Sequence, residues 1–221
     1  MVGREIKNYY TLTHTPGKEV ILTVKNLYKE GYIDDVSFEI KKGEVLGVTG
    51  LIGAGRTEMA SALFGLLQPD KGEIIFEGKR LEIRNPAQAI SMGIAMVPEN
   101  RKEQGTIPQM GVGYNISLAV LDAFIKLIKV NTKREKGIIG QYMDALRVKA
   151  SSPQQYIGNL SGGNQQKAII ARWLATNPKI LILDEPTKGI DIGAKTEIYS
   201  IIDELAKQGV AIMLISSELP E

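Results

Sequence analysis

The chain alternates between short apolar runs and segments with helical periodicity. Apolar runs bounded by Gly, Pro, Asn or Asp predict strands. The runs of this kind are, in chain order, VILTVKNL, VSFEI, EVLGVTG, EIIFEGKRLEI, IAMVPE, KILILDEP and GVAIMLISSE. The fourth run has Gly78 in its centre and predicts a hairpin, and the last two are continuous, as parallel strands covered on both faces are.

Helices are predicted between these runs. One is expected from about residue 56 to 67, and the segment NPAQAISMG predicts a short helix with Asn85 as its cap and Pro86 at its first position. The segments LSGGNQQKAIIARWLATNP and KTEIYSIIDELAKQG have apolar residues at helical spacing. This alternation of strands and helices predicts an α/β fold with a parallel sheet.

The pattern also divides the chain. Residues 1–18 show no sustained period and are interpreted as a linker or tail, and residues 19–221 as one domain. Residues 99–155 combine one long loop with helical periodicity and have no strong strand candidate, so we expect an inserted helical subdomain there.

Composition narrows the classes of function. A chain of 221 residues with 43% hydrophobic residues can bury a sizeable core, and its formal charge of +2 does not indicate nucleic acid as a partner. The absence of cysteine excludes disulfides and thiolate metal sites. The most apolar long stretch, residues 115–130, is interrupted by charges, so no direct membrane span is expected. The single histidine, His14, lies in the polar start, so imidazole chemistry in the core is excluded.

The stretch GLIGAGRT fits the phosphate-loop pattern G-x-x-x-x-G-K-[ST], except that Arg56 replaces the lysine. A strand precedes it and a helix follows, which lets backbone N–H groups surround phosphate oxygens. The residues predicted to hold a nucleotide phosphate are Gly50, Leu51, Ile52, Gly53, Ala54, Gly55, Arg56 and Thr57. The alternatives are a tight turn or a dinucleotide-binding loop, although the latter wants Gly or Ala where Glu58 stands.

The Arg56 replacement changes geometry more than charge. Lysine places a compact charge between the terminal phosphates, whereas guanidinium is a planar fork with fixed donor directions. Arg56 can still bind phosphate through two donors. The positioning of the transition state is the property that the replacement puts at risk.

Two adjacent carboxylates, Asp184 and Glu185, end the run ILILDE. Carboxyl ends of parallel strands are where open α/β sheets bind their ligands. We expect Asp184, together with the Thr57 hydroxyl, to hold Mg²⁺, and Glu185 to orient or deprotonate an attacking water. The alternative is a strand that ends in a solvated acidic turn.

The segment LSGGNQQKAIIARWL carries a second candidate anion site. Ser161, Gly162 and Gly163 open a helix with a hydroxyl and two backbone N–H groups, although a simple helix cap would use the same residues. The segment resembles the signature sequence of the ATP-binding cassette (ABC) ATPases, and it lies where that family has it, shortly before LILDEP. The resemblance covers about residues 20–219.

The resemblance implies a P-loop NTPase fold of the ABC type, with a parallel-sheet core, an antiparallel β subdomain and a helical subdomain that contacts transmembrane permease subunits. Two cassettes of this family pair head to tail, and each Mg-ATP lies between the phosphate loop of one and the signature of the other. The matching signature residues here are Ser161, Gly162, Gly163, Asn164 and Gln165. Asp191 matches the loop that contacts the partner. Tyr28 or Tyr32 is expected to stack on adenine, and the alternative is that either packs on the sheet. The implied location is the cytoplasmic face of the inner membrane.

The segments GLIGAGRTE, VPENRK, LSGGNQQK and LISSELPE are more narrowly similar to the second cassette of tandem ATP-binding proteins of ribose-, galactose- and xylose-type sugar importers. The expected partner is then the first half of the same parent chain. Three residues depart from the general family pattern: Arg56, Glu99 in place of a glutamine, and Ser217 in place of a histidine.

These departures predict a site that binds Mg-ATP but hydrolyses it poorly, while the intact signature completes the partner's site. Two alternatives stay open: a self-pairing ATPase that uses Arg56 and Glu185, and a nucleotide-gated scaffold without turnover. The run NRKEQG is either a loop that contacts transmembrane partners or a solvated basic turn.

Overall fold

The computed structural model describes residue 13 and residues 15–51, 53–126 and 129–217. Ile52, His14 and most of the predicted tail therefore lie outside the described residues. The strands are β1 (Val20–Lys29), β2 (Ile33–Lys41), β3 (Val45–Val48), β4 (Lys71–Phe76), β5 (Lys79–Leu81), β6 (Ile94–Val97), β7 (Ile125–Lys126), β8 (Lys129–Val130), β9 (Ile180–Asp184) and β10 (Ala211–Ile215). The α-helices are α1 (Arg56–Phe64), α2 (Pro86–Met92), α3 (Val112–Ser117), α4 (Thr132–Ala145), α5 (Gly162–Leu174) and α6 (Ile192–Lys207).

The parallel sheet has the order β3-β10-β9-β6. Its register aligns the carboxyl ends of the strands, because Ile215 pairs with both Val48 and Asp184 while Leu183 pairs with Val97. The four segments that follow these strands therefore leave the sheet along one edge. This confirms the predicted parallel sheet.

A separate antiparallel sheet has the order β2-β1-β4-β5. The predicted hairpin is present, with Gly78 at φ 75° in the turn between β4 and β5, where a residue without a Cβ is favoured. The antiparallel sheet packs with α1 and one face of the parallel sheet into a shared core.

Alternation along the parallel strands separates two cores. Ile180 and Ile182 of β9 face the core shared with the antiparallel sheet, whereas Leu181 and Leu183 face the core built with α5 and α6. Successive side chains of a strand point to opposite faces, so a continuous apolar run is required where both faces are covered.

The inserted region is helical but not wholly so. A π-helical turn spans Arg101–Gly105, a 3₁₀ segment spans Leu118–Ala123, and α3 and α4 complete the helical part. Although the sequence has no strong strand candidate here, β7 and β8 pair as a two-stranded antiparallel sheet. Each strand has two residues, which is too short for periodicity to reveal.

Helix boundaries differ slightly from the predicted ones. Helix α1 ends at Phe64 because Gly65 adopts φ 80° and caps it. Helix α2 has the predicted cap, since Asn85 accepts a hydrogen bond from the Gln88 N–H. Among the described residues, none of the helices is both long and apolar enough to cross a membrane.

Candidate functional site

A cleft of about 320 Å³ lies at the carboxyl edge of the parallel sheet. The phosphate loop follows β3, Glu99 follows β6, Glu185 follows β9 and Ser217 follows β10. The lining residues are Gly53, Ala54, Gly55, Arg56, Thr57, Glu58, Glu99, Asp184, Glu185, Lys188, Ile215 and Ser217. The structure thus brings together nine of the predicted site residues, from four distant parts of the sequence.

The phosphate loop reaches the cleft from Gly53 onward. Gly53 and Gly55 have φ angles of 81° and 78°. A Cβ on Gly55 would lie 2.1 Å from the Tyr32 carbonyl oxygen, so both conformation and space require glycine there. Gly50 and Leu51 are exposed and are not among the lining residues.

Helix α1 begins at this loop without a side-chain cap. The first backbone N–H groups of an α-helix have no partner inside the helix, and the helix dipole favours an anion at this end. The start of α1 lines the cleft through Arg56 and Thr57. The loop is therefore suited to phosphate oxygens.

Arg56 does not project freely into the cleft. Its Nη1 donates to the Ser216 carbonyl oxygen at 2.7 Å and lies 3.7 Å from Glu185 Oε1. The Arg56 and Glu185 side chains are only 13% and 10% exposed, so this contact is shielded from water. The guanidinium ties the phosphate-loop helix to the ends of β10 and β9.

Asp184 is completely buried at the end of β9. Among the described residues, neither of its carboxylate oxygens has a partner with hydrogen-bond geometry. Burial raises the pKa of Asp184 to about 6, against the lowering effect of the nearby Thr57 hydroxyl. A buried carboxylate beside a threonine hydroxyl fits a hard divalent cation such as Mg²⁺.

Glu185 has an unusual backbone. Its φ is 48°, in the left-handed region that non-glycine residues enter at a cost of about 1–3 kcal/mol. Its N–H donates to the Ile215 carbonyl oxygen at 3.0 Å, which fixes the turn after β9. The strained conformation directs the chain away from the sheet immediately after Asp184.

Glu99 and Lys188 form an ion pair at the cleft, with Lys188 Nζ 2.6 Å from Glu99 Oε1. The bond to Glu99 is the main cause of a raised Lys188 pKa, and Glu185 and Asp184 add to it. Sequence reasoning missed Lys188. Its only signal was its position three residues after the predicted catalytic carboxylate.

The signature segment lies outside the cleft and has its own contacts. Ser161 precedes α5, and its Oγ accepts a hydrogen bond from Asn164 Nδ2 at 2.9 Å. Gln165 Nε2 donates to the Ile157 and Leu160 carbonyl oxygens, so its amide is occupied within the chain.

Gly163 serves helix packing as well. A Cβ there would lie 2.4 Å from the Ala194 Cβ of α6. Its lack of a side chain is therefore required for the approach of α5 to α6, a reason beyond the unhindered N–H that the sequence suggested.

Three further predicted residues, Asp191, Tyr28 and Tyr32, lie outside the lining of the cleft. Asp191 caps α6 by accepting a hydrogen bond from the Ala194 N–H, and it is exposed. Tyr32 is 57% exposed in the turn beside Gly55, whereas Tyr28 lies in β1 with Lys71 Nζ 5.4 Å from its ring centre.

The basic run NRKEQG is not simply solvated. Arg101 is half-buried, and burial lowers its pKa. Its Nε donates to Gln165 Oε1 at 3.3 Å. Its Nη2 packs so closely on Gly162 that a Cβ at that glycine would lie 3.0 Å from it. Arg101 therefore connects the loop after β6 to the start of α5.

The sequence of this chain matches a family of known proteins. The ABC transporter family model matches residues 33–188. The ribose import ATP-binding protein RbsA of Oceanobacillus iheyensis is 46% identical over 222 residues, which cover 100% of this chain and 45% of that protein. The xylose import ATP-binding protein XylG of Escherichia coli is 51% identical over 230 residues, with the same coverage of 100% and 45%. The chain thus spans less than half the length of these relatives.

Solved structures share the fold. A nucleotide-free ATP-binding cassette from an ABC transporter aligns with a TM-score of 0.79 and 25% identity, covering 90% of this chain and 82% of that one. An ATP-binding cassette in its ADP conformation aligns with a TM-score of 0.76 and 25% identity, covering 91% and 83%.

Proposed function

This chain belongs to the ABC transporter family, and from that membership we propose that it is the ATP-binding, energy-coupling cassette of a carbohydrate importer. The observation that carries the proposal is the cleft in which the phosphate loop, Asp184, Glu185 and Glu99 meet. Its relatives include ribose and xylose import ATP-binding proteins, which supports a sugar as the cargo.

The phosphate loop and the buried carboxylate would bind different parts of Mg-ATP. Backbone N–H groups at the start of α1 would hold phosphate oxygens, and Thr57 with Asp184 would hold Mg²⁺. The bound ion would neutralise charge between the terminal phosphates. Binding it would also compensate the buried charge of Asp184, whose oxygens meet no hydrogen-bond geometry with the described residues.

We propose that turnover at this site is slow. Arg56 donates to the Ser216 carbonyl oxygen and lies against Glu185. Glu185, the expected general base, is therefore in contact with a cation and is less available to an attacking water. Glu99 and Ser217 line the same cleft in place of the family's glutamine and histidine. Three of the groups that would position water and the terminal phosphate are therefore altered together.

The signature segment would act in a neighbouring cassette. Of its residues, none lines the described part of this chain's own cleft, and Ser161 lies at the exposed start of α5. A head-to-tail partner would bring its phosphate loop to this helix start, with Asp191 in the same interface. The proposed partner is the other half of a tandem parent chain.

The adenine and membrane contacts complete the proposal. Tyr32 is favoured over Tyr28 for stacking on adenine because it is exposed and adjoins Gly55. The helical region within residues 99–155 would contact permease subunits, which would hold the cassette on the cytoplasmic face of the membrane.

The test is phosphate release by the isolated chain and by the chain assembled with an intact first cassette. We expect slow release in isolation and faster release in the assembly. Ser161→Ala should lower the rate of the assembly, while Glu185→Gln in this chain should change it little. Strong activity of the isolated chain that Glu185→Gln abolishes would instead favour a self-pairing ATPase. No detectable ATP binding at millimolar concentration would refute the nucleotide role.

A further inference from the structure

The Glu99–Lys188 ion pair lies at the cleft where the terminal phosphate of a nucleotide would reach. Both residues line it together with Arg56, Asp184 and Glu185. The pair is partly solvated, with side chains 62% exposed for Lys188 and 38% for Glu99. Exposed ion pairs contribute little to folding stability, so stability does not account for its placement.

The charge balance of the cleft suggests another role. Three carboxylates, Glu99, Asp184 and Glu185, line it, and Arg56 is already engaged by Glu185 and the Ser216 carbonyl oxygen. Mg²⁺ would offset Asp184. An unpaired Glu99 would then face the most negative end of the nucleotide, and like charges at short range repel each other even in a partly solvated site.

The backbone holds Lys188 in place to oppose that repulsion. The Lys188 N–H donates to the Glu185 carbonyl oxygen at 3.1 Å, which closes the turn after the acidic pair. The Lys188 carbonyl oxygen accepts a long hydrogen bond from Arg101 Nη1 at 3.5 Å. The lysine is therefore anchored to the loop that carries Glu99 through both its side chain and its main chain.

We propose that Lys188 neutralises Glu99 and thereby makes the cleft tolerant of a nucleoside triphosphate in preference to a diphosphate. This inference rests on the proposed nucleotide-binding function. Lys188 is a specificity-determining residue in this account, and it acts through Glu99. Glu99 stands where the family pattern has a neutral glutamine, and the charge of Lys188 cancels the charge that Glu99 adds.

The experiment is equilibrium titration of the full chain with a hydrolysis-resistant ATP analogue and with ADP, both with Mg²⁺. Lys188→Met should weaken binding of the triphosphate analogue about tenfold, the effect of one unit charge at roughly 6 Å with an effective dielectric constant of about 40. Binding of ADP, which lacks the terminal phosphate, should weaken by about threefold or less. Glu99→Gln should tighten binding of the analogue.

The double variant Glu99→Gln/Lys188→Met is decisive. It removes both charges, so its affinity for the analogue should return to within about threefold of the wild type. The matched control is Lys102→Met, which removes the same charge from the loop after β6, beside the pair but outside the lining of this cleft, and should weaken both affinities less than Lys188→Met does. Thermal melts of every variant verify folding.

Two results would overturn the inference while leaving nucleotide binding intact. A Lys188→Met variant that binds both nucleotides as the Lys102→Met control does would show that the pair has no effect of its own on affinity. Alternatively, a double variant as weak as Lys188→Met would mean that the ammonium contacts the nucleotide directly. A wild-type chain that binds neither nucleotide would refute the proposed function itself, and this inference with it.

Discussion

Replacing Arg56 should change stability and turnover in opposite directions. In the structure its guanidinium donates to the Ser216 carbonyl oxygen at 2.7 Å and lies 3.7 Å from Glu185, with only 13% of the side chain exposed. Hydrogen bonds to charged groups contribute about 1.5–3 kcal/mol when buried. Arg56→Met removes the bond and leaves the Ser216 carbonyl and the Glu185 carboxylate without their cation. The free energy of unfolding should therefore fall by about 2–3 kcal/mol.

Arg56→Lys should be intermediate. The ammonium keeps the charge but ends short of the Nη1 position, so we expect a loss of about 1–2 kcal/mol. In a domain of this size each kcal/mol lowers Tm by about 2–4 °C. The matched control is Arg84→Lys, because Arg84 pairs with Glu82 on the surface and both side chains are 73% exposed. That variant should stay within about 0.5 kcal/mol of the wild type.

The assay pairs thermal or urea unfolding of the nucleotide-free chain with phosphate release in the assembled pair. In that pair the partner's own catalytic glutamate is replaced, so that only this chain's site can turn over. Arg56→Lys should be less stable than the wild type and hydrolyse ATP faster, because a compact ammonium can reach the phosphates and leaves Glu185 available. An Arg56→Lys variant with unchanged Tm and unchanged turnover would refute the reasoning.

Three further substitutions test other parts of the site. Gly55→Ala should abolish nucleotide binding and lower Tm, because its Cβ would meet the Tyr32 carbonyl oxygen at 2.1 Å and its φ is 78°; retained affinity in a titration would contradict this. Gly163→Ala should destabilise the chain by about 1–3 kcal/mol in urea unfolding through its clash with Ala194, and adding Ala194→Gly should recover most of the loss. Asp184→Asn should raise the free energy of unfolding of the Mg²⁺-free chain at pH 7.5 by about 1–3 kcal/mol. The reason is that the pKa of Asp184 is about 6 in the folded chain, above its unfolded value, so the folded state pays for the charged carboxylate at this pH. This gain should vanish as the pH falls from 6 to 4 in melts, while Mg²⁺-dependent nucleotide binding is lost; a gain that is constant with pH would refute the assignment.

Much of the fold was readable in the chain because its patterns are local. The continuous apolar run of β9 indicated a strand covered on both faces, and the Asn85–Pro86 pair indicated the start of α2. The two-residue strands β7 and β8 were not readable, because no period can be measured over two positions. Helix α1 was predicted too long because the C-cap at Gly65 was overlooked.

The candidate site was readable only as separate motifs. Arg56, Glu99 and Ser217 could be recognised as departures from a family pattern, each in its own segment. The contact of Arg56 with Ser216, the ion pair of Glu99 with Lys188 and the requirement for glycine at Gly163 involve residues that are 31 to 160 positions apart. Nothing in the local pattern specifies such contacts.

The sequence by itself determined the strands of the two larger sheets, the glycine-rich loop, the acidic strand end and the signature helix, because backbone conformation and apolar periodicity are properties of neighbouring residues. The tertiary structure decided which of these chemical groups meet. Parallel pairing in the order β3-β10-β9-β6 brings four carboxyl ends to one edge, and that edge makes a single cleft from loops far apart in the chain. Close packing then fixes how each cation is engaged, which the identity of the residue alone could not.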